Sequence, residues 1–176
     1  MTIKKTKWIL LVPFKTIDKE IINHLEKKIT QILGYKVAVN KEQMEIPDCR
    51  KRGVQLFAKD LLSALRKELM KTNADAVLGI TDRDLYAENF NFIFGLAHSV
   101  CSVISLYRLV SEDKELFYIR AVKEAVHELG HLAGLDHCPT ISCVMHFSNS
   151  LRDTDVKHEF FCNRCEERLK RISSKT

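Results

Sequence analysis

Proline and glycine are scarce in this chain, with three prolines and six glycines in 176 residues. That excludes collagen-like and Pro/Gly-rich disordered architectures. No apolar run approaches the roughly 20 residues that a membrane-spanning helix needs. Residues 1–13 are the one candidate leader, but their apolar run is short and ends in Pro13-Phe14-Lys15 without a small-residue cleavage site. Internal repeats and low-complexity tracts are absent. Charge of one sign does not dominate either: the formal net charge is +5, which permits weak contact with polyanions without arguing for it. The expectation is a cytoplasmic protein with no membrane contact. In that compartment six cysteines favour thiols or metal ligands over disulfides.

What is present is ordinary globular composition, 45% hydrophobic and 29% charged, and a length that suits one domain with a sizeable core. Residues 7–12 read as a buried strand, 17–33 as an amphipathic helix stopped by Gly34, and 35–39 as a second strand. The polar stretch 40–53 holds the basic run Arg50-Lys51-Arg52, read as a solvated loop. Residues 55–71 read as a second helix and 76–81 as a short apolar central strand. Strands alternating with helices predict a mainly parallel sheet. The run around Phe92 (residues 90–97) and residues 103–109 then follow as strands with no helix between them, so the Phe92 run is predicted as an antiparallel edge strand. Such an edge can take up an extended peptide by strand addition. Residues 116–133 form the third predicted helix, and the tail 171–176 is expected to fray.

That third helix carries His127-Glu128-Leu129-Gly130-His131-Leu132-Ala133-Gly134-Leu135-Asp136-His137, an H-E-x-x-H-x-x-G-x-x-H pattern. His127 and His131 are one helical turn apart and can reach one metal ion. Gly134 lets the chain leave the helix by a left-handed turn, which brings His137 round as a third ligand. Three neutral imidazoles with an open fourth position make a catalytic zinc site, with Glu128 as general base for a zinc-activated water. Asp136 is either an orienting partner for a ligand or solvated surface.

Cys138 and Cys143, followed by Cys162-Asn163-Arg164-Cys165, have the spacing of a closed four-thiolate zinc site. A redox pair at C-x-x-C or unliganded thiols are the alternatives. Cys49 and Cys101 have no partner spacing, and a buried free thiol is the default for Cys101. Because Cys138 is covalently next to His137, the cysteine site should anchor the loop that delivers the third histidine. Met145 lies between the two clusters, where it could pack beneath a metal site.

Together these residues resemble the archaemetzincins. The long histidine motif His127–His137 is followed by a candidate turn methionine, Met145, with cysteines at 138, 143, 162 and 165. Asn91-Phe92-Ile93-Phe94-Gly95 and Ser105-Leu106-Tyr107-Arg108-Leu109 also look family-like. The resemblance implies an α+β, metzincin-like zincin with an α/β-like N-terminal part, a mixed and mostly parallel sheet, an antiparallel edge strand, an active-site helix and a small zinc-stabilised C-terminal subdomain. It divides a single domain, 1–176, at about residue 134. It implies two zinc ions per chain, one catalytic on His127, His131 and His137 and one structural on Cys138, Cys143, Cys162 and Cys165. Glu128 is then the general base and Met145 the turn. The expected function is a zinc metalloprotease acting on a peptide or protein substrate, as a monomer and without nucleic acid. A zinc-stabilised peptide- or protein-binding module with little turnover is the competing reading.

Overall fold

Alternate side chains of β1 (Trp8–Pro13) feed two different cores: Ile9 and Leu11 join one, Leu10 and Val12 the other. A strand apolar on both sides has to lie inside a sheet covered on both faces. The computed structural model, which describes residues 7–174, places it in a five-stranded sheet. The strand order is β2 (Lys36–Val39), β1, β5 (Ala76–Thr81), β8 (Cys101–Ser105) and β7 (Gly95–His98). Neighbours pair in parallel except β7, which runs antiparallel to β8 and forms one edge. The expected mixed sheet with an antiparallel edge is therefore the observed one.

Helix α1 (Lys19–Leu33) starts where the Asp18 carboxylate accepts from the Glu20 N–H at 2.9 Å. It buries Ile21, Ile22, Leu25 and Ile29 beside α3 (Lys114–Leu132), whose own cap is Asp113. Helix α2 (Ala58–Leu69) covers the opposite face with Leu61, Leu62, Leu65 and Leu69. Each such aliphatic contributes roughly 1.5–3 kcal/mol by leaving water. Among the described residues no helix is long and apolar enough to cross a membrane.

Four sequence expectations need correction. Residues 55–57 are not helical: they form β4 (Gln55–Phe57), held in a second sheet between β3 (Lys51–Arg52) and β6 (Leu85–Tyr86). Their apolar pattern runs straight into that of α2, and the distant partner β6 decides the conformation. The basic run is exposed as read, but Lys51 and Arg52 form β3 and are not loop. Arg50 forks onto Asp60 at 2.8 and 3.1 Å and stacks on Phe57, while Arg52 stacks on Tyr86 and donates to the Phe90 and Asn91 carbonyls. Those carbonyls are consequently lost to a ladder, so the edge strand begins at Gly95, and residues 90–94 of the expected Phe92 strand are outside it. The strand read at 103–109 is likewise shifted, ending at Ser105.

The chain beyond α3 adds two helices that periodicity did not reveal, α4 (Leu151–Val156) and α5 (Asn163–Ser174). Part of the tail expected to fray is the last turn of α5, and residues 175–176 lie outside the described residues. Helix α4 is latched to α3 by charged side chains. Arg120 forks onto Asp155 at 2.7 Å through both contacts, and the Lys123 ammonium donates to the Thr154 and Asp155 carbonyls at 3.0 Å. One turn on, Glu124 accepts from the Thr154 hydroxyl at 3.1 Å and pairs with Lys157 at 3.0 Å.

Both members of the Glu124–Lys157 pair are buried, and the ammonium sits off hydrogen-bonding alignment. Removing one partner strands the other charge away from water, which typically costs about 3–5 kcal/mol. Lys157→Ala should lower unfolding free energy in urea by about that much. The double change Lys157→Met with Glu124→Gln should recover most of it. A single variant within 0.5 kcal/mol or so of the parent would show that the pair is not what holds α4.

Candidate active site

Helix α3 presents His127, Glu128 and His131 from one rigid element. Gly134, at φ 93°, then reverses the chain, and His137 returns toward the helix. The expected left-handed turn is present. The ring centroids of His127, His131 and His137 lie 4.7 to 5.3 Å apart, and one nitrogen from each falls within 4.8 Å of the others.

The tautomers follow from the hydrogen bonds. His127 Nδ1–H donates to the Val144 carbonyl at 2.8 Å, and His131 Nδ1–H donates to the Leu135 carbonyl at 2.8 Å. Each ring therefore points an Nε2 lone pair inward, and those two atoms are 3.1 Å apart. Facing lone pairs repel unless a cation lies between them, and two nitrogens bound to one tetrahedral zinc sit about 3.3 Å apart. The donor set fits zinc. Backbone carbonyls, and not Asp136, orient the rings: the Asp136 carboxylate is exposed and pairs with Arg168 at 2.9 Å, tying α5 to the motif.

Burial depresses the proton affinity of all three imidazoles, most strongly at His127, with the Lys157 charge acting in the same direction. Neutral imidazole is the form that ligates a metal. Glu128 is buried too, and its carboxyl is pushed well above the usual range by that burial, with Glu124 adding and Lys157 opposing. A raised carboxyl is a stronger base when it does ionise. Gly95 of β7 lies directly against it: a Cβ there would come 2.5 Å from Glu128 Oε1. Beneath the histidines the Met145 sulfur packs on Gly130, leaving no room for a Cβ at that position. Met145 thus packs against the histidine-bearing helix from below.

The cysteines form a second cluster of their own. Sγ of Cys138 and Cys162 lie 3.7 Å apart, as do those of Cys143 and Cys165, and all four fall within 4.8 Å of one another. These separations are far beyond a disulfide, about 2.05 Å, and match the roughly 3.8 Å edge of a four-thiolate zinc tetrahedron. The cysteine set also fits zinc. Burial raises Cys143 and Cys165. At Cys138 burial is outweighed by hydrogen bonds from Thr140 and the neighbouring thiols, which lower it to about 6. Cys49 and Cys101 are buried and stand apart from the cluster. His146 is not part of the histidine group: its Nδ1–H donates to the Cys138 carbonyl at 3.0 Å, bracing the residue that joins the two clusters.

A cleft of about 450 Å³ opens over the histidines. Its lining includes β7 from Gly95 to Ala97, an aromatic wall of Phe90, Phe92 and Phe94, and Phe147 on the opposite side. Glu124 also faces it. Sequence reading missed Glu124, although a carboxylate one turn before Glu128 within an apolar stripe is a detectable signal. It also missed Lys157 and Phe147, which no local pattern marks.

Residues 1–171 match peptidase family M54. The chain is 44% identical to the archaemetzincin of Methanopyrus kandleri over 156 residues, 86% of this chain and 87% of that one. The crystal structure of the M. kandleri archaemetzincin superposes with a TM-score of 0.86 at 41% identity, covering 96% of each chain. That of the Archaeoglobus fulgidus archaemetzincin, complexed with malonate, gives 0.81 at 34% identity, covering 91% of this chain and 98% of that one.

The depressed histidines set a pH dependence for the metal-free protein. Below the ordinary imidazole value of about 6.5, the unfolded chain binds protons that the folded one refuses, so stability falls as pH falls. Glu128 and Cys138 titrate across the same range, so the histidine contribution is read in the metal-free protein as the urea-unfolding free energy of the parent minus that of His127→Gln, and this difference should decline from about pH 6.5 to 5. A rise across that interval would contradict the buried neutral state.

Proposed function

The chain belongs to the archaemetzincins, peptidase family M54, and is a zinc-dependent metallopeptidase; on that premise we propose that it cleaves peptide bonds with Glu128 as general base. In this reading His127, His131 and His137 hold the catalytic zinc, and Cys138, Cys143, Cys162 and Cys165 hold a second, structural one. The observation that carries it is the pair of inward-facing Nε2 atoms beside a buried carboxylate at the floor of a cleft.

A zinc ion bound there supplies a Lewis acid that polarises a carbonyl and makes water acidic near neutral pH. The protein residues do the rest. The free edge of β7 offers unpaired N–H and C=O groups, so an extended peptide lies along it by main-chain hydrogen bonds. The Glu128 carboxylate takes one proton from the attacking water as the oxygen–carbon bond forms. The same carboxyl then delivers that proton to the amide nitrogen as the carbon–nitrogen bond breaks. Burial keeps Glu128 away from bulk water, and the missing side chain of Gly95 leaves its carboxylate room against the sheet edge. The Val144 and Leu135 carbonyls fix the ring planes so that no reorganisation accompanies the step. The enzyme works as a monomer in this reading, on a peptide or protein substrate.

Glu128→Gln should retain metal yet lose at least about 100-fold in kcat/KM, the scale of general-base catalysis. Wild-type turnover in that variant would remove Glu128 from the mechanism. Elemental analysis should find two zinc ions per chain, and a content of one would remove one of the two sites. Cys138→Ser should weaken retention of the histidine-bound zinc against a chelator by about 10- to 100-fold, although Cys138 is not one of its ligands. Unchanged retention would make the two sites independent.

A further inference from the structure

Two of the aromatic rings lining the cleft come from opposite walls and meet across it. Phe90 belongs to the segment before β7, and Phe147 follows Met145. Their ring centroids are 6.4 Å apart at 55°, and Phe147 in turn lies 5.0 Å from the His137 ring. Rings at that separation are in contact, and no extended chain threads between them without parting them. Each is only about half covered, 43% and 42% exposed, so the pair stands at the rim of the cleft and not in its floor.

The position of the pair relative to the reacting bond can be read from β7. Gly95 lies against Glu128, so the chain before Gly95 borders one arm of the cleft and Leu96 and Ala97 border the other. A peptide pairing with the free edge antiparallel, the slightly stronger ladder, runs opposite to β7. Its residues after the cleaved bond then travel from Gly95 back past Phe94 and Phe92 toward Phe90.

That wall is held from behind. Arg52 donates to the Phe90 carbonyl at 3.0 Å and to that of Asn91, which also accepts from Gln55 Nε2 at 2.9 Å. Arg108 forks onto buried Asp84 at 2.7 and 2.8 Å and lies 4.2 Å over the Phe92 ring. The basic run that sequence alone made a solvated loop therefore contributes the tether of the wall, through Arg52.

We propose that the Phe90–Phe147 contact is a stop on the carboxyl-terminal side of the cleaved bond, and that Arg52 is the positioning residue that keeps Phe90 in it. The preferred substrates are then peptides with a short segment after that bond, led by a large apolar residue that fits among Phe92 and Phe94. Five residues of chain span at most their extended length, and an extended peptide advances about that far per residue. Phe90 is five positions before Gly95, so the stop falls at no more than about five residues. This rests on the peptide cleavage proposed above.

The test uses the zinc-loaded full-length protein and fluorogenic peptides identical up to the cleaved bond, with one to ten residues after it. The readout is the ratio of kcat/KM for the longest to the shortest peptide, which does not depend on the fraction of protein folded. In the parent protein the ratio should be 0.1 or lower, with the fall complete by about five residues. Phe90→Ala and Phe147→Ala should each raise it at least tenfold. Arg52→Ala should raise it in the same direction, and Arg52→Lys should restore part of the parent value. A parent ratio near one, or a ratio unmoved by both phenylalanine changes, overturns the stop. The same peptides, labelled for fluorescence anisotropy, are titrated onto Glu128→Gln protein. If nothing is cut but affinity drops with the same length dependence, cleavage is overturned and the stop stands; affinity flat with length overturns the stop itself.

Discussion

The contact between the Met145 sulfur and Gly130 is the one on which the rest of the site depends. Gly130 stands between His127 and His131 on α3, and the absent side chain lets the turn after Cys143 press against the helix backbone. That approach brings the Val144 carbonyl within reach of His127 Nδ1, which in turn sets the ring plane and the tautomer. The Met145 carbonyl accepts from the Cys138 N–H at 2.8 Å, which places His137 beside the other two rings. A single close approach thus fixes two of the three imidazoles, one by hydrogen bond and one by chain connection. The cysteine cluster holds the far end of the same loop, so the two groups of ligands are parts of one structural unit.

Around that unit the charges are arranged as a ladder on α3. Arg120, Lys123 and Glu124 occupy successive positions on the face that receives α4, each with a partner at residues 154–157. Burying so many charges is costly unless each is paired, and the pairing gives α4 one seating only. Lys157 has a further effect through space: its charge discourages protons on the histidines and partly offsets the repulsion between Glu124 and Glu128. The latch that fixes the C-terminal segment also tunes the site beneath which it lies.

The chemistry was more legible in the sequence than the architecture. The histidines could be read because helical periodicity is local: residues four apart share a face whatever the tertiary fold. The same holds for Cys162 and Cys165 and for the left-handed turn at Gly134. What escaped were features decided by partners far along the chain. Residues 90–94 have the aromatic content of a strand, yet Arg52 and Gln55, more than thirty positions earlier, claim their carbonyls. Gln55–Phe57 has the apolar spacing of a helix start but pairs with Leu85 and Tyr86. Glu124 and Lys157 are charged residues placed in a core, and neither has a local pattern that announces the other.

The free edge of β7 has a bearing on solubility as well as on recognition. A row of unpaired backbone groups is a template for any other strand, including β7 of another copy, and unprotected edges of this kind drive aggregation. Here the strand is only four residues long, and Gly95 to Ala97 lie recessed in the cleft between α3 and the aromatic wall. A single flexible chain can enter that recess, whereas the edge of a second folded sheet, carrying its own helices, is too bulky to follow. On the peptide-cleavage reading proposed above, that recess would act as a filter on the physical state of what docks, favouring chains already unfolded over folded neighbours.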